Sequence, residues 1–244
     1  MALIIFGTAY LAAGGILAIV MGLAKGVGLR AFKSVSAGLL APLGTIFGLL
    51  VVFIVAQIWG DLDRAESALD REASALRMVV LLASSFPGEP EAQILALVRR
   101  HVDEAVNTEW PTMVKQSATL KVASPALAEA LESALSLLPK TEGQIVAQRE
   151  IVTAVENALD ARRQRIILSH SSVNWIKWTC LFAQAICILI AIAIVHSENR
   201  IGAGIALGIF ATGVSVSVLL IASQDRPFTG EIAVKPDLLL QVRP

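Results

Sequence analysis

The side chains best able to do chemistry are gathered in the middle of this 244-residue chain. Residues 61–172 hold 28 Asp, Glu, Lys and Arg side chains in 112 positions, whereas the other 132 positions hold 12. Two carboxylates can act as general acid and general base when an apolar setting raises the pKa of one above that of the other. Here Arg64, Glu66, Asp70, Arg71 and Glu72 interleave with Leu62, Ala65, Leu69, Ala73 and Leu76, which reads as the solvated face of an amphipathic helix. No GxSxG elbow, phosphate loop, HExxH, CxxC or glycine-rich dinucleotide fingerprint occurs. His101, His170 and His196 are scattered, and Cys180 and Cys187 lie seven apart in an apolar run, where a thiol behaves as a small hydrophobe. We expect no enzyme, no metal site and no cofactor. Arg162, Arg163 and Arg165 form the one dense basic cluster. It could draw anions toward a vestibule or touch anionic lipid, but the residues by themselves favour a plain exposed basic helix face.

The elements that carry these residues follow from composition. Hydrophobic residues make up 55% of the chain and charged ones 16%, with a mean hydropathy of +0.69; ordinary soluble domains carry about 25% charge. Twenty basic residues against twenty acidic ones leave no net charge, and hence no basic field for nucleic acid. A bilayer core of about 30 Å needs about 20 apolar residues in a helix. Four stretches qualify, at residues 3–24, 37–60, 173–196 and 201–223. Short loops join them into two transmembrane hairpins. The first has no basic residue before it and runs into Lys25, so it reads as a retained anchor and not a cleaved signal.

No span core contains a full charge; Lys177 lies near one end, where its stem can snorkel. That argues against ion-coupled transport, which places ionisable groups at membrane depth. Gly44 with Gly48, and Gly204 with Gly208, have the spacing that lets helices approach closely.

The expected fold is all-α: a four-span transmembrane protein with a helical extramembrane insert between spans 2 and 3. Its segments are a transmembrane hairpin (1–60), a helical domain (61–172), a second hairpin (173–223) and a C-terminal tail (224–244). The second span should run on as the amphipathic helix through Val80 until the Phe-Pro-Gly-Glu-Pro segment ending at Pro90 breaks it. Ile94, Leu95, Val98, Val102 and Val106 mark the next helix. Ser124 before Pro125 suits a cap, and Thr141 with Gln144 has capping-box spacing ahead of a long helix reaching His170.

On the second span, Ile46, Leu49, Leu50 and Phe53 form an apolar stripe followed by Gln57. A ring of such stripes would make a hydrophobic neck able to gate by dewetting. Periodicity alone favours ordinary helix or lipid contact for the same stripe. After the last span, Asp225 cannot enter hydrocarbon, Pro227 ends the helix, and Phe228 can anchor a turn in which Gly230 permits positive φ. Such an anchor would tie the tail to the insert; a plain stop-and-turn fits the residues as well.

The order of elements resembles the bestrophins, and above all the bacterial bestrophin-like family. Three stretches carry the resemblance: Gly48 to Phe53 with its continuation through Trp59, Ala65 and Arg71-Glu72-Ala73; Thr108-Glu109-Trp110-Pro111; and Ala161 to Arg165 with the tail motif Asp225-Arg226-Pro227-Phe228-Thr229-Gly230. The resemblance implies a homo-oligomeric ring, pentameric in bestrophins, with an axial ion pore lined by the second span. Only Glu231 and Asp237 follow the tail motif, where calcium-gated bestrophins carry a run of acids, so calcium regulation is not expected.

Lys25, Arg30 and Lys33 in the first short loop favour that loop inside the cell. Nine basic residues flanking the insert side, from Arg64 to Arg243, outnumber four in the short loops and favour the insert inside. Taken with the resemblance, we expect a multi-pass bacterial inner-membrane protein with a cytoplasmic insert. The expected function is a bestrophin-like channel passing small inorganic ions through the neck, its partners being copies of itself and membrane lipid. The alternative is a non-conducting scaffold or sensor whose insert binds a protein or lipid.

Overall fold

The computed structural model describes residues 1–24, 32–121, 124–230 and 233–244. Lys25 and Arg30 of the first short loop and Glu231 of the tail lie outside the described residues. Among the described residues the chain is helical, with no strand. The helices are α1 (Ala2–Leu23), α2 (Leu40–Ala83), α3 (Glu89–Glu104), α4 (Trp110–Val114), α5 (Pro125–Leu135), α6 (Glu142–Leu168), α7 (Trp175–Val195), α8 (Arg200–Gln224) and α9 (Asp237–Leu240). The chain forms two compact units: residues 1–58 with 172–225, and residues 59–171 with 226–244.

The first unit contains all of α1, α7 and α8 and the start of α2, the four helices long and apolar enough to cross a membrane. Ala13, Val20, Phe47, Ile54, Leu181, Leu189, Leu207 and Ile221 build its core. Polar ties add register. Tyr10 and Thr212 hydroxyls meet at 2.7 Å between α1 and α8, and Lys33 pairs with Glu198 across the two short loops. Asn174 and Asn199 cap α7 and α8 by accepting from Ile176 N and Gly202 N, each at 3.0 Å. Burial is uneven: 11% of the most apolar stretch of α1 and of α2 is buried within the chain, against 39% for α7 and 33% for α8.

The second unit begins inside α2, whose 44 residues continue without interruption from the second span. Its core joins Leu69, Leu76 and Val79 of α2, Ile94 and Val102 of α3, Leu127 of α5, Ile151 and Ile166 of α6, and Phe228 and Leu239 of the tail. The caps form where the spacing places them. Ser124 Oγ accepts from Leu127 N at 3.4 Å, and Thr141 Oγ1 from Gln144 N at 3.2 Å; Gln144 Oε1 accepts in return from Lys140 N at 2.7 Å. The break after α2 is shorter than expected. Gly88 takes φ +98°, and Pro90 lies in the first turn of α3, where its missing N–H costs nothing.

Past Glu104 the helix does not simply end. Residues Ala105–Glu109 form a π-helical turn closed by Trp110 N donating to Ala105 O. Proline at 111 cannot donate and would crowd the carbonyl four residues back in a regular helix. One extra residue in the turn relieves that conflict and rotates the chain beyond it.

Candidate functional site

Phe47, Ile54 and Ile58 of α2 face the core of the first unit. At about 100° per residue, Ile46, Leu50, Phe53 and Gln57 lie on one strip about a quarter turn from that core face, and Leu49 lies further round beside Phe53, nearly opposite the core. Within the chain, Ile46 is 55%, Leu49 52% and Phe53 70% exposed, while Leu50 and Gln57 are half-buried. A Phe at that exposure leaves a large apolar surface for lipid or another copy to cover. Gly44 and Gly48 meet nothing within 4 Å where a Cβ would stand; the helix-packing spacing on this span is open within the single chain. Gly204 approaches Leu17 of α1, 3.9 Å from its would-be Cβ. Lys177 donates to Gln57 Oε1, so its stem serves a side-chain contact within the unit.

The second unit contains a charged core that contradicts the solvated reading of the insert carboxylates. Glu72 is fully buried, as are His101 and Arg165. Arg165 Nε donates to Glu72 Oε2 at 2.7 Å, and its Nη2 donates to Glu72 Oε1 at 3.1 Å and to Glu109 Oε2 at 2.9 Å. His101 Nε2 lies 2.9 Å from Glu72 Oε1, and its Nδ1 lies 3.0 Å from Ser124 Oγ. Because a carboxylate only accepts, Nε2 carries a proton; the Ser124 hydroxyl can donate to Nδ1 while accepting from Leu127 N. Arg162 closes the chain of charges, its Nε donating to Glu109 Oε1 at 2.7 Å. Two carboxylates thus meet two guanidiniums.

Burial, the largest influence on Glu72, pushes its carboxyl upward, but the Arg165 charge with hydrogen bonds from His101 and Arg165 outweighs it. The carboxyl is held at about 2 against an ordinary 4.5. Burial likewise works against the Arg165 charge, and Glu72 and then Glu109 overcome it, so its pKa is raised.

The basic cluster therefore divides. Arg162 and Arg165 are turned inward and ion-paired, while Arg163 is exposed. A signal for this existed in the sequence. Ala65, Leu69, Glu72, Leu76, Val79 and Ala83 recur at alternating spacings of four and three, so Glu72 occupies a core position in an otherwise apolar seam.

The tail joins the same core. Phe228, 3% exposed, meets Trp110 edge-on at 5.4 Å and 84°, and Trp110 in turn lies 5.5 Å from the Arg165 guanidinium carbon. Thr229 Oγ1 donates to Val114 O at 3.4 Å, Val234 N to Pro227 O at 2.9 Å, and Gly230 takes φ +112°. Pro227 is buried and Arg226 exposed. In the first unit, Asp225 Oδ1 accepts from Val173 N at 2.6 Å, binding the end of α8 to the segment that leads into α7.

Comparison with known proteins agrees with this architecture. The profile of the bestrophin-like domain matches residues 7–239. A variant of a bacterial bestrophin homolog from Klebsiella pneumoniae superposes with a TM-score of 0.72 at 8% identity, over 98% of this chain and 97% of that one. The structure of the Klebsiella homolog solved by zinc phasing gives 0.71 at 10% identity, over 100% and 96%. A structure described as a membrane protein gives 0.70 at 12% identity, over 100% and 96%. No curated protein sequence matches.

Proposed function

The chain belongs to the bestrophin-like family and is an integral membrane protein, and from that premise we propose that it is a homo-oligomeric channel passing small ions passively. The neck of this channel is the α2 stripe of Ile46, Leu50, Phe53 and Gln57, with Leu49 beside it. One observation carries the proposal: α2 leaves Ile46, Leu49 and Phe53 uncovered in the single chain although the helix is long enough to span the bilayer. Several copies placing that strip around an axis would enclose a hydrophobic constriction of the kind that gates by dewetting. Among the described residues the spans carry no charge at mid-depth, Lys177 lying two residues inside the start of α7, which suits passive flow better than coupled transport. The ring, pentameric by analogy with bestrophins, sits in the bacterial inner membrane with the helical unit in the cytoplasm.

Glu72 lies on the same helix as the neck stripe. The buried charge network gives that helix a fixed seat in the second unit, and Arg163 is the member of the basic cluster left to present charge at a vestibule. The decisive measurement is current through planar bilayers containing the purified protein. Discrete currents whose unitary conductance rises in Phe53→Ala support the proposal. Silence under all salts and voltages refutes it and favours the scaffold.

A further inference from the structure

The first unit carries an open-mouthed apolar pocket that its own side chains do not fill. It lies among α1, α7 and α8 and measures about 320 Å³. Ala185 of α7 with Ala211 and Val214 of α8 are buried around it, and Ala12, Phe182 and Ile186 form its exposed rim. Small side chains create the space: three of these six residues are alanines.

The walls are dry. Two hydroxyls reach the lining, and both are committed to their own helices. Thr8 donates to the carbonyls of Ile4 and Ile5 at 2.9 and 3.0 Å, and Ser215 donates to Ala211 O at 2.8 Å. A water needs two to four polar partners to be held in a cavity, and these walls offer only the spare lone pairs of two hydroxyls whose protons are already committed. Protein interiors keep few voids larger than one water, because lining atoms lose their dispersion contacts. At about 30 Å³ for each water-sized group, the space matches roughly ten methylene-sized groups in a row. All three walls belong to membrane-spanning helices. An apolar, chain-like occupant present at bilayer depth fits this space.

We infer that this cavity is a binding site for one acyl chain of a membrane phospholipid, entering past Phe182 and Ile186. The chain completes the packing of α1 on α7 and α8.

The test uses full-length protein reconstituted in phosphatidylcholine vesicles whose acyl chains carry a mid-chain diazirine. After illumination, adducts are mapped by mass spectrometry. Adducts on Ala185, Ala211 or Val214 are expected, because these buried positions can be labelled only from within the cavity. Ala185→Leu and Ala12→Phe fill it from different helices, and either should lower floor labelling at least fivefold while leaving labelling of exposed Leu11 unchanged. A floor that stays unlabelled, or labelling indifferent to both fillings, overturns the site. So does crosslinking of the rim to a second copy of the chain in place of lipid.

Discussion

Glu72 shows how one residue can carry more structural weight than its neighbours. Its carboxylate is held by Arg165 and His101 with no exposure to solvent. Removing one partner of a buried pair leaves the other charge desolvated and uncompensated, which costs about 3–5 kcal/mol. We expect Glu72→Gln to lower the unfolding midpoint of the detergent-solubilised protein, and Glu72→Gln with Arg165→Met to cost less than the two single changes summed. The pH dependence has a definite sign. The folded carboxyl titrates near 2 and the unfolded one near 4.5, so the unfolded chain takes up the proton first on acidification. The stabilisation is complete above about pH 4.5 and is lost as pH falls toward 2. Unfolding free energy measured across that window should fall in the native chain and change less in Glu72→Gln.

At the level of elements, the π-helical turn decides where Glu109 and Trp110 point. Deleting Asn107 removes the extra residue and turns the downstream helix by about 100° relative to α3, carrying Glu109 away from Arg162 and Arg165 and Trp110 away from Phe228. Pro111→Ala keeps the chain length, so we expect it to keep these contacts. Phe228→Ala strips a buried ring from the same place, at about 3–5 kcal/mol. Limited proteolysis reads the difference. The Asn107 deletion and Phe228→Ala should both expose the tail to chymotryptic cleavage after Leu239, which is fully buried in the native chain, and Pro111→Ala should leave it resistant. Equal resistance in all three would mean that the Trp110 contact does not hold the tail.

For the whole molecule, the question is what covers α2. If Phe53 and its companions surround an axis, cysteines at that position in neighbouring copies lie within reach of one another. In a background with Cys180→Ala and Cys187→Ala, which removes two exposed thiols, Phe53→Cys should give oligomer ladders with a short bismaleimide. Ile4→Cys, at a residue 71% exposed on α1, should give markedly less. Equal crosslinking at both positions would count against a shared axis and with it the neck.

Much of this protein follows from one-dimensional pattern. The four spans are set by runs of apolar residues that hydrocarbon alone can solvate. The helix starts at Ser124 and Thr141 are set by a side-chain acceptor three residues before an orphan N–H, and the continuation of the second span into the insert by an unbroken seam. These features depend on neighbours within one or two turns, so spacing is enough to reveal them. The charged core depends on partners 29 to 93 residues apart, Glu72 with His101 and with Arg165. A glutamate beside an arginine looks the same on a solvated face as in a desolvated pair, because the cost of burial appears only once the other helices close around it. Tertiary packing likewise turned Arg162 and Arg165 inward, set Phe228 against Trp110 and left a dry space between α1, α7 and α8. Each outcome was decided by which surfaces met, a matter of long-range geometry that local spacing does not encode.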